Sequence, residues 1–283
     1  MSQTNQPQAV LVTGASSGIG KAATRLLHHK GFTVFAGVRQ EKDAAALKDQ
    51  SKGRIIPVIL DVTLGETISR AVNQIEAHTG GAGLHGLVNN AGVPFGGPSE
   101  YLDLDQVRQV LEVNLIGAMA VTQGVLPLLR QARGRVVNIS SISGRIALPF
   151  VSPYAASKFG LEAFSDALRV ELKPWKIPVS VIEPGDIETP IWEKTVNTIS
   201  KAIEALPQSA HDMYGPVFEK IDATTIHGIS PYHVAEKIFH ALSAKRPRPR
   251  YVVGIDAKIM VMIARLPTPI RDWIITLFLP KYG

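Results

Sequence analysis

The 283-residue chain contains no cysteine. That absence excludes disulfides, iron–sulfur clusters, Cys-bearing zinc sites and thiol catalysis, and it suits a reducing compartment. A metal would have to rely on His and carboxylates, yet the eight His, His28 and His29 among them, form neither H-x-x-x-H nor H-E-x-x-H. No metal site is expected. Long apolar runs are missing as well. Ile259 to Ala264 and Trp273 to Leu279 fall far short of the roughly 18 uninterrupted residues that a spanning helix needs. The opening MSQTNQPQ lacks the apolar core of a signal peptide and reads as a frayed tail over residues 1–8. These absences lead to the expectation of a soluble, cytoplasmic protein, at most peripheral to a membrane.

What is present suffices for a substantial core. With 45% hydrophobic and 19% charged residues and a mean hydropathy of +0.11, disorder is excluded. The net charge of +6 raises the question of an acidic partner. Its location answers part of that question. Residues 245–283 hold eight basic residues (Lys245, Arg246, Arg248, Arg250, Lys258, Arg265, Arg271, Lys281) against Asp256 and Asp272, so the remainder is neutral. A general nucleic-acid surface is not expected.

From Ala9 onward short apolar runs alternate with segments of helical period, the pattern of a doubly wound parallel α/β sheet with helices on both faces. Strands are expected at Ala9 to Thr13, Thr33 to Val38, Arg54 to Leu60, Gly86 to Asn89, Arg135 to Ile139, Val179 to Ile182 and Tyr251 to Val253. Helices fall at Gly18 to Lys30, Leu64 to His78, Asp105 to Gln131, Pro153 to Leu172 and Pro231 to Ala244. Pro57 could not donate to a central ladder, so the third strand belongs at the edge, as the Rossmann-type order 3-2-1-4-5-6-7 requires. Neither an internal repeat nor a long linker appears, so residues 9–254 form one domain. Within it, residues 189–228 break the rhythm and read as an insertion folded over a site. Residues 255–283 read as an extension of two short amphipathic helices separated by Pro267 and Pro269.

Between the first strand and helix lies Thr13-Gly-Ala-Ser-Ser-Gly-Ile-Gly20. Glycines at 14, 18 and 20 let the backbone turn tightly and approach a pyrophosphate at the helix N-terminus. Lys21 suggests a P-loop, but the spacing and Ala22 do not fit one. The second strand ends at Val38-Arg39 with no carboxylate for ribose hydroxyls. A guanidinium at Arg39 suits a 2′-phosphate, which favours NADP(H) while leaving NAD(H) open; the alternative is a solvated surface arginine. Further along, Tyr154 and Lys158 stand four apart on a helix and share a face, so an ammonium can favour the phenolate of a group whose ordinary pKa is about 10. Ser141 follows the fifth strand, where its hydroxyl can hold a substrate oxygen.

Taken in order, Thr13-Gly-Ala-Ser-Ser-Gly-Ile-Gly20, Asp61-Val62, Asn89-Asn-Ala-Gly92, Asn114, Ser141, Tyr154-Ala-Ala-Ser-Lys158 and Pro184-Gly185 make the sequence resemble the short-chain dehydrogenase/reductase family in its compact single-domain branch. The resemblance implies a catalytic set of Asn114, Ser141, Tyr154 and Lys158, with Asn114 organising a relay water. It implies cofactor contacts from Gly14, Ser16, Ser17, Gly18, Ile19, Gly20, Asp61, Val62, Asn90, Ala91, Gly92, Tyr154 and Lys158, with Pro184, Gly185, Ile187 and Thr189 flanking the nicotinamide. Val34-Phe-Ala-Gly-Val-Arg39 and the C-terminal extension make the chain similar to the steroid and retinoid dehydrogenase group.

The expected function is reversible hydride transfer between nicotinamide and a carbonyl or secondary alcohol, as a carbonyl reductase or alcohol dehydrogenase. Ser141, Tyr154 and Trp192 are candidate substrate contacts. Trp192, Met213, Tyr214 and Phe218 suggest an apolar substrate or a lid packed on the body. The rivals are an isomerase or dehydratase using bound NAD(P), and a non-catalytic cofactor-sensing scaffold. By resemblance a homodimer or homotetramer is expected. The terminal helices pack against the body or a second subunit in one reading, and touch a membrane surface in the other.

Overall fold

Val10 and Val12 point to one face of a sheet and Leu11 to the other, and all three are buried because the strand that carries them is central. In the computed structural model, which describes residues 8–48, 53–188, 203–204, 206–223 and 228–279, this strand is β1 (Ala9–Val12). The others are β2 (Thr33–Val38), β3 (Ile55–Ile59), β4 (Gly86–Asn89), β5 (Arg135–Ile139), β6 (Val179–Pro184) and β7 (Arg250–Val253). The seven pair in parallel in the order β3-β2-β1-β4-β5-β6-β7, the expected order. Pro57 lies opposite Ala36 on β3, the edge strand, where its missing N–H breaks no central ladder.

Helices cover both faces. On the Val10 face, α1 (Gly18–His29) contributes Leu26 and Leu27 to a core shared with Val234, Ile238 and Leu242 of a later helix, Pro231–Ser243. On the Leu11 face, α3 (Gly65–Thr79) contributes Ile68 and Ile75. Between them in sequence sits α2 (Glu41–Lys48), which periodicity did not suggest because Leu47 is the one large apolar side chain it buries.

The expected helix over Asp105 to Gln131 is divided. α4 (Leu104–Leu111) passes into a π turn at Glu112–Ile116 and then α5 (Gly117–Ala132), with Asp103 accepting from the Asp105 N–H at the start. Within the 29-residue span Leu104–Ala132 an 18-residue window reaches a mean hydropathy of 1.4, long and apolar enough by composition to cross a membrane, although polar residues interrupt it and no uninterrupted apolar run of that length is present. Val121, Val125, Leu128 and Leu129 are nevertheless buried in the Leu11-face core.

After β5 come a short turn at Ile142–Gly144 and α6 (Ser152–Glu171). β6 runs two residues beyond expectation, to Pro184. Within the insertion, α7 (Gln208–Ala223) buries Ala210, Val217 and Phe218 and leaves Met213 exposed, so part of its apolar surface serves packing. The Tyr214 hydroxyl donates to Glu100 at 2.6 Å, and its ring meets Tyr101 and Phe150. Trp192 and Thr189 lie outside the described residues, as do residues 1–7.

Helix α8 (Pro231–Ser243) precedes β7, and the chain continues into α9 (Ile255–Ile263) and α10 (Thr268–Leu277). α9 packs on β7 and on the turn at Ile142–Gly144, whereas much of the apolar surface of both helices stays open. Among the described residues of α9 and α10, Ala257 alone is buried, while Ile255, Ile259, Met262, Ile270, Trp273 and Leu277 are exposed.

Candidate active site

The glycine turn is shaped by what a side chain would do there. Gly14 and Gly18 adopt φ of +65° and +51°, the left-handed region that glycine tolerates without steric cost. A Cβ on Gly20 would collide with the Gly14 carbonyl oxygen and the Asn90 amide. Ser17 starts α1 without accepting a bond from its first-turn amides, so those donors are left for a ligand. Ser16, Ser17 and Ile19 complete this cradle, whose donors and clearance fit a dinucleotide pyrophosphate.

Neighbouring strand ends lock the turn in place. Thr13 Oγ1 accepts from the backbone N–H groups of Asn90 and Ala91, at 2.9 and 3.0 Å. The Asn90 amide donates back to the carbonyls of Thr13 and Gly14. Ala15 N–H donates to Gly37 O at 2.9 Å, tying the turn to the end of β2, beside which Arg39 is exposed without an ion pair among the described residues. At the end of β3, Asp61 accepts from the N–H and hydroxyl of Thr63, and Val62 is buried against Gly117.

The catalytic candidates converge at the carboxyl end of β5. Lys158 is buried, donates to Ile139 O at 2.9 Å and places Nζ 5.6 Å from the centre of the Tyr154 ring. Burial lowers the Lys158 pKa to about 8, against the opposing charge of Glu162. Tyr154 is pushed above its ordinary value by burial, and a hydrogen bond with Ser141 works against that rise. Ser141 is also held in place, since its Oγ accepts from Ser143 N–H at 3.1 Å.

Asn114 belongs to the same cluster, since a Cβ on Gly92 would lie 3.3 Å from Asn114 Oδ1 and 3.7 Å from Lys158 Nζ. Its side chain makes three hydrogen bonds. It accepts from Val93 N–H at 2.8 Å and donates to Val93 O and Ser157 Oγ. The Asn114 amide clamps the loop after β4, and the residue lies in the π turn at Glu112–Ile116, where it is buried.

Pro184 ends β6 and is buried; beyond it Gly185 N–H donates to Val253 O, and Ile187 bridges to Ile229. The sequence did not single out several residues that hold this geometry. Asp256 Oδ2 accepts from Asp186 N–H at 2.8 Å, and neither Gly185 nor Gly254 has room for a Cβ beside its carboxylate. Nothing in its spacing marked it. Glu162 had a legible signal, because it follows Lys158 by four residues on one helical face.

The family model for short chain dehydrogenase matches residues 8–200. The chain is 39% identical to 17-beta-hydroxysteroid dehydrogenase type 6 of Bos taurus, covering 98% of this chain and 90% of that protein. It is 38% identical to retinol dehydrogenase 5 of Mus musculus, over 96% and 89%. Among solved structures, the actinorhodin polyketide ketoreductase with NADPH superimposes with a TM-score of 0.72 at 29% identity, covering 88% of this chain and 95% of that one.

Proposed function

The chain belongs to the short-chain dehydrogenase family and is an NAD(P)-dependent oxidoreductase, and on that premise we propose that it interconverts a secondary alcohol and a carbonyl on an apolar, steroid- or retinoid-like substrate with NADP(H). The observation that carries the chemistry is the buried Lys158 ammonium beneath Tyr154, with Ser141 at the phenol.

A nicotinamide cofactor held by the turn at Gly14 to Gly20 and by the strand ends at Asn90 and Pro184 would supply or take up the hydride. The substrate oxygen sits between the Tyr154 and Ser141 hydroxyls. In reduction Tyr154 gives its proton to that oxygen as charge develops there; in oxidation its phenolate removes the alcohol proton. Lys158 stabilises the phenolate electrostatically, which the apolar burial around Tyr154 alone opposes. Ser141 Oγ stays oriented by the Ser143 amide and so holds the oxygen without reorganising.

Arg39 supports the preference for NADP(H), since its exposed guanidinium stands next to the turn-bearing strand. The relatives' names and the apolar lid residues support the substrate class. The exposed apolar faces of α9 and α10, with Lys258, Arg265 and Arg271 among them, support a peripheral contact with an anionic membrane surface from the cytoplasmic side.

Tyr154→Phe tests the reading. Turnover falls at least a thousandfold, on the order expected when an essential proton donor is lost, while cofactor binding followed by fluorescence persists. Undiminished turnover removes Tyr154 from the mechanism. A substrate screen with no net cofactor oxidation or reduction would favour an isomerase or dehydratase.

A further inference from the structure

Tyr154, Lys158, Glu162 and Asp166 succeed one another at four-residue intervals and so run down one face of α6. The first two form the reacting end. The last two enter a network of charges behind it. Arg250 from β7 donates through Nε and Nη2 to Glu162 Oε2, at 3.2 and 3.0 Å, and through Nη2 to both Asp166 oxygens, at 2.8 and 2.7 Å. Its Nε also lies 3.1 Å from Glu183 Oε1 of β6, which accepts from Arg145 Nη1 at the same distance. Asp166 binds Arg169 as well. Glu162 and Glu183 are both buried.

Such a cluster is more than a staple between α6 and the sheet edge. Gly144 shows how closely it is fitted, because a Cβ there would lie 2.7 Å from Ser140 Oγ and 3.1 Å from both Glu162 Cγ and the Lys158 carbonyl oxygen. The side chains of Ser140 and Glu162 and the backbone carbonyl of Lys158 thus border a space that glycine leaves open, one helical turn from the Lys158 side chain that Glu162 follows on α6. Glu162 is the nearest carboxylate behind the catalytic ammonium on its own helix. The other charged groups around this space are Glu183 on β6, Arg145 after the turn that follows β5 and Arg250 on β7; the Tyr154 ring lies 5.6 Å from Lys158 Nζ, and Asn114 Oδ1 and Lys158 Nζ both border Gly92.

We propose that Glu162 is a positioning residue for the reaction, its carboxylate fixed by Arg250 so that it keeps the buried Lys158 in its charged form beneath Tyr154. Lys158 needs that support. Burial disfavours its ammonium and brings its pKa to about 8, and Glu162 is the charge that opposes the fall. Burial and then Glu183 push Glu162 itself upward, while Ser140 and Arg250 hold against the rise. Arg250 therefore maintains the carboxylate, the carboxylate maintains the ammonium, and the ammonium maintains the phenolate. The proposal rests on the catalytic reading of Tyr154 and Lys158.

The test is Glu162→Gln, which keeps the shape and leaves Arg250 paired with Asp166 and Glu183. Without the carboxylate Lys158 loses its proton at lower pH. The basic limb of the kcat/KM profile moves down by about one pH unit relative to the parent enzyme. Glu162→Asp restores the charge and returns the limb toward the parent position. A readout that needs no cofactor is titration of the free enzyme, with the phenol followed by tyrosinate absorbance and corrected with Tyr154→Phe. In Glu162→Gln the phenol, which ionises after Lys158 has already lost its proton, does not move upward, and the Lys158 ammonium itself, followed by NMR and assigned with Lys158→Met, titrates at lower pH than in the parent. Should the single variant fail to fold, Glu162→Leu with Arg250→Met removes the pair while Glu183 keeps Arg145 and Asp166 keeps Arg169, and carries a smaller shift in the same direction, since Glu162 is the nearer charge to Lys158 along α6. Superimposable pH profiles and Lys158 titrations overturn the proposal. That outcome, beside an inactive Tyr154→Phe, leaves the catalytic reading standing; an active Tyr154→Phe overturns the reading itself.

Discussion

Arg250 and Arg265 belong to the same basic C-terminal stretch and meet opposite environments. Arg250 reaches back from β7 and is shared by Glu162, Asp166 and Glu183 within the catalytic body. Arg265 follows α9 and is exposed, in the same surface region as Met262 and Ile259. The first is held by several charge-assisted bonds and orders a site; the second remains hydrated beside apolar side chains that nothing covers among the described residues. Charge in the body therefore serves geometry, whereas charge in the extension remains on offer to a partner. The two regions meet at Asp256, whose carboxylate receives the Asp186 amide and so ties the start of α9 to the loop that follows β6.

The sharpest way to break this contrast is at the tightest point of the body. In Gly20→Ala the new Cβ collides with the Gly14 carbonyl and the Asn90 amide, both locked by neighbouring strands. Cofactor affinity measured by calorimetry falls about a thousandfold or beyond detection, because backbone and pyrophosphate no longer approach. Binding at the parent affinity would mean that the turn yields, and that the body is less rigid than its hydrogen bonds imply.

A smaller effect belongs to the rim of the same site. Arg39→Asp replaces a guanidinium with a carboxylate beside the turn. NADPH affinity drops by about ten- to a hundredfold while NADH affinity holds or rises, the difference being loss of a charge-assisted bond to the 2′-phosphate. Equal changes for both nucleotides would return Arg39 to the ordinary surface.

How much of this could be read from the sequence follows the same division. Strands β2, β4 and β5 match their expected bounds because each is a short buried run with turn residues on both sides. Pro57 announced its edge strand. The ordered motifs marked Ser141, Tyr154 and Lys158, which the structure brings together. Features that depend on contacts distant in sequence were hidden: the π turn that contains Asn114, the grip of Asp256 on Asp186, and the convergence of α6, β6 and β7 on Arg250. The amphipathic period of α9 and α10 was visible, but periodicity cannot say whether an apolar face is covered. Ala257 is covered, whereas Ile259, Met262 and Trp273 remain exposed among the described residues.

The extension supplies the smallest expected effect on the enzyme and the test of whether the contrast is functional. Met262 and Trp273 are 69% and 62% exposed, so Met262→Glu with Trp273→Glu removes little packing. Stability changes by no more than about 0.5 kcal/mol for each substitution, the usual range at exposed sites, and turnover of a water-soluble ketone stays at the parent level. Sedimentation with vesicles containing phosphatidylserine behaves differently. The parent protein binds and is released by added salt, as basic residues at an anionic surface require. The variant loses about tenfold or more of that binding, since two buried apolar contacts are exchanged for two negative charges. If the parent protein fails to bind at any salt concentration, the apolar faces instead serve a second subunit. Concentration-dependent association that the same two substitutions abolish would then be the expected result.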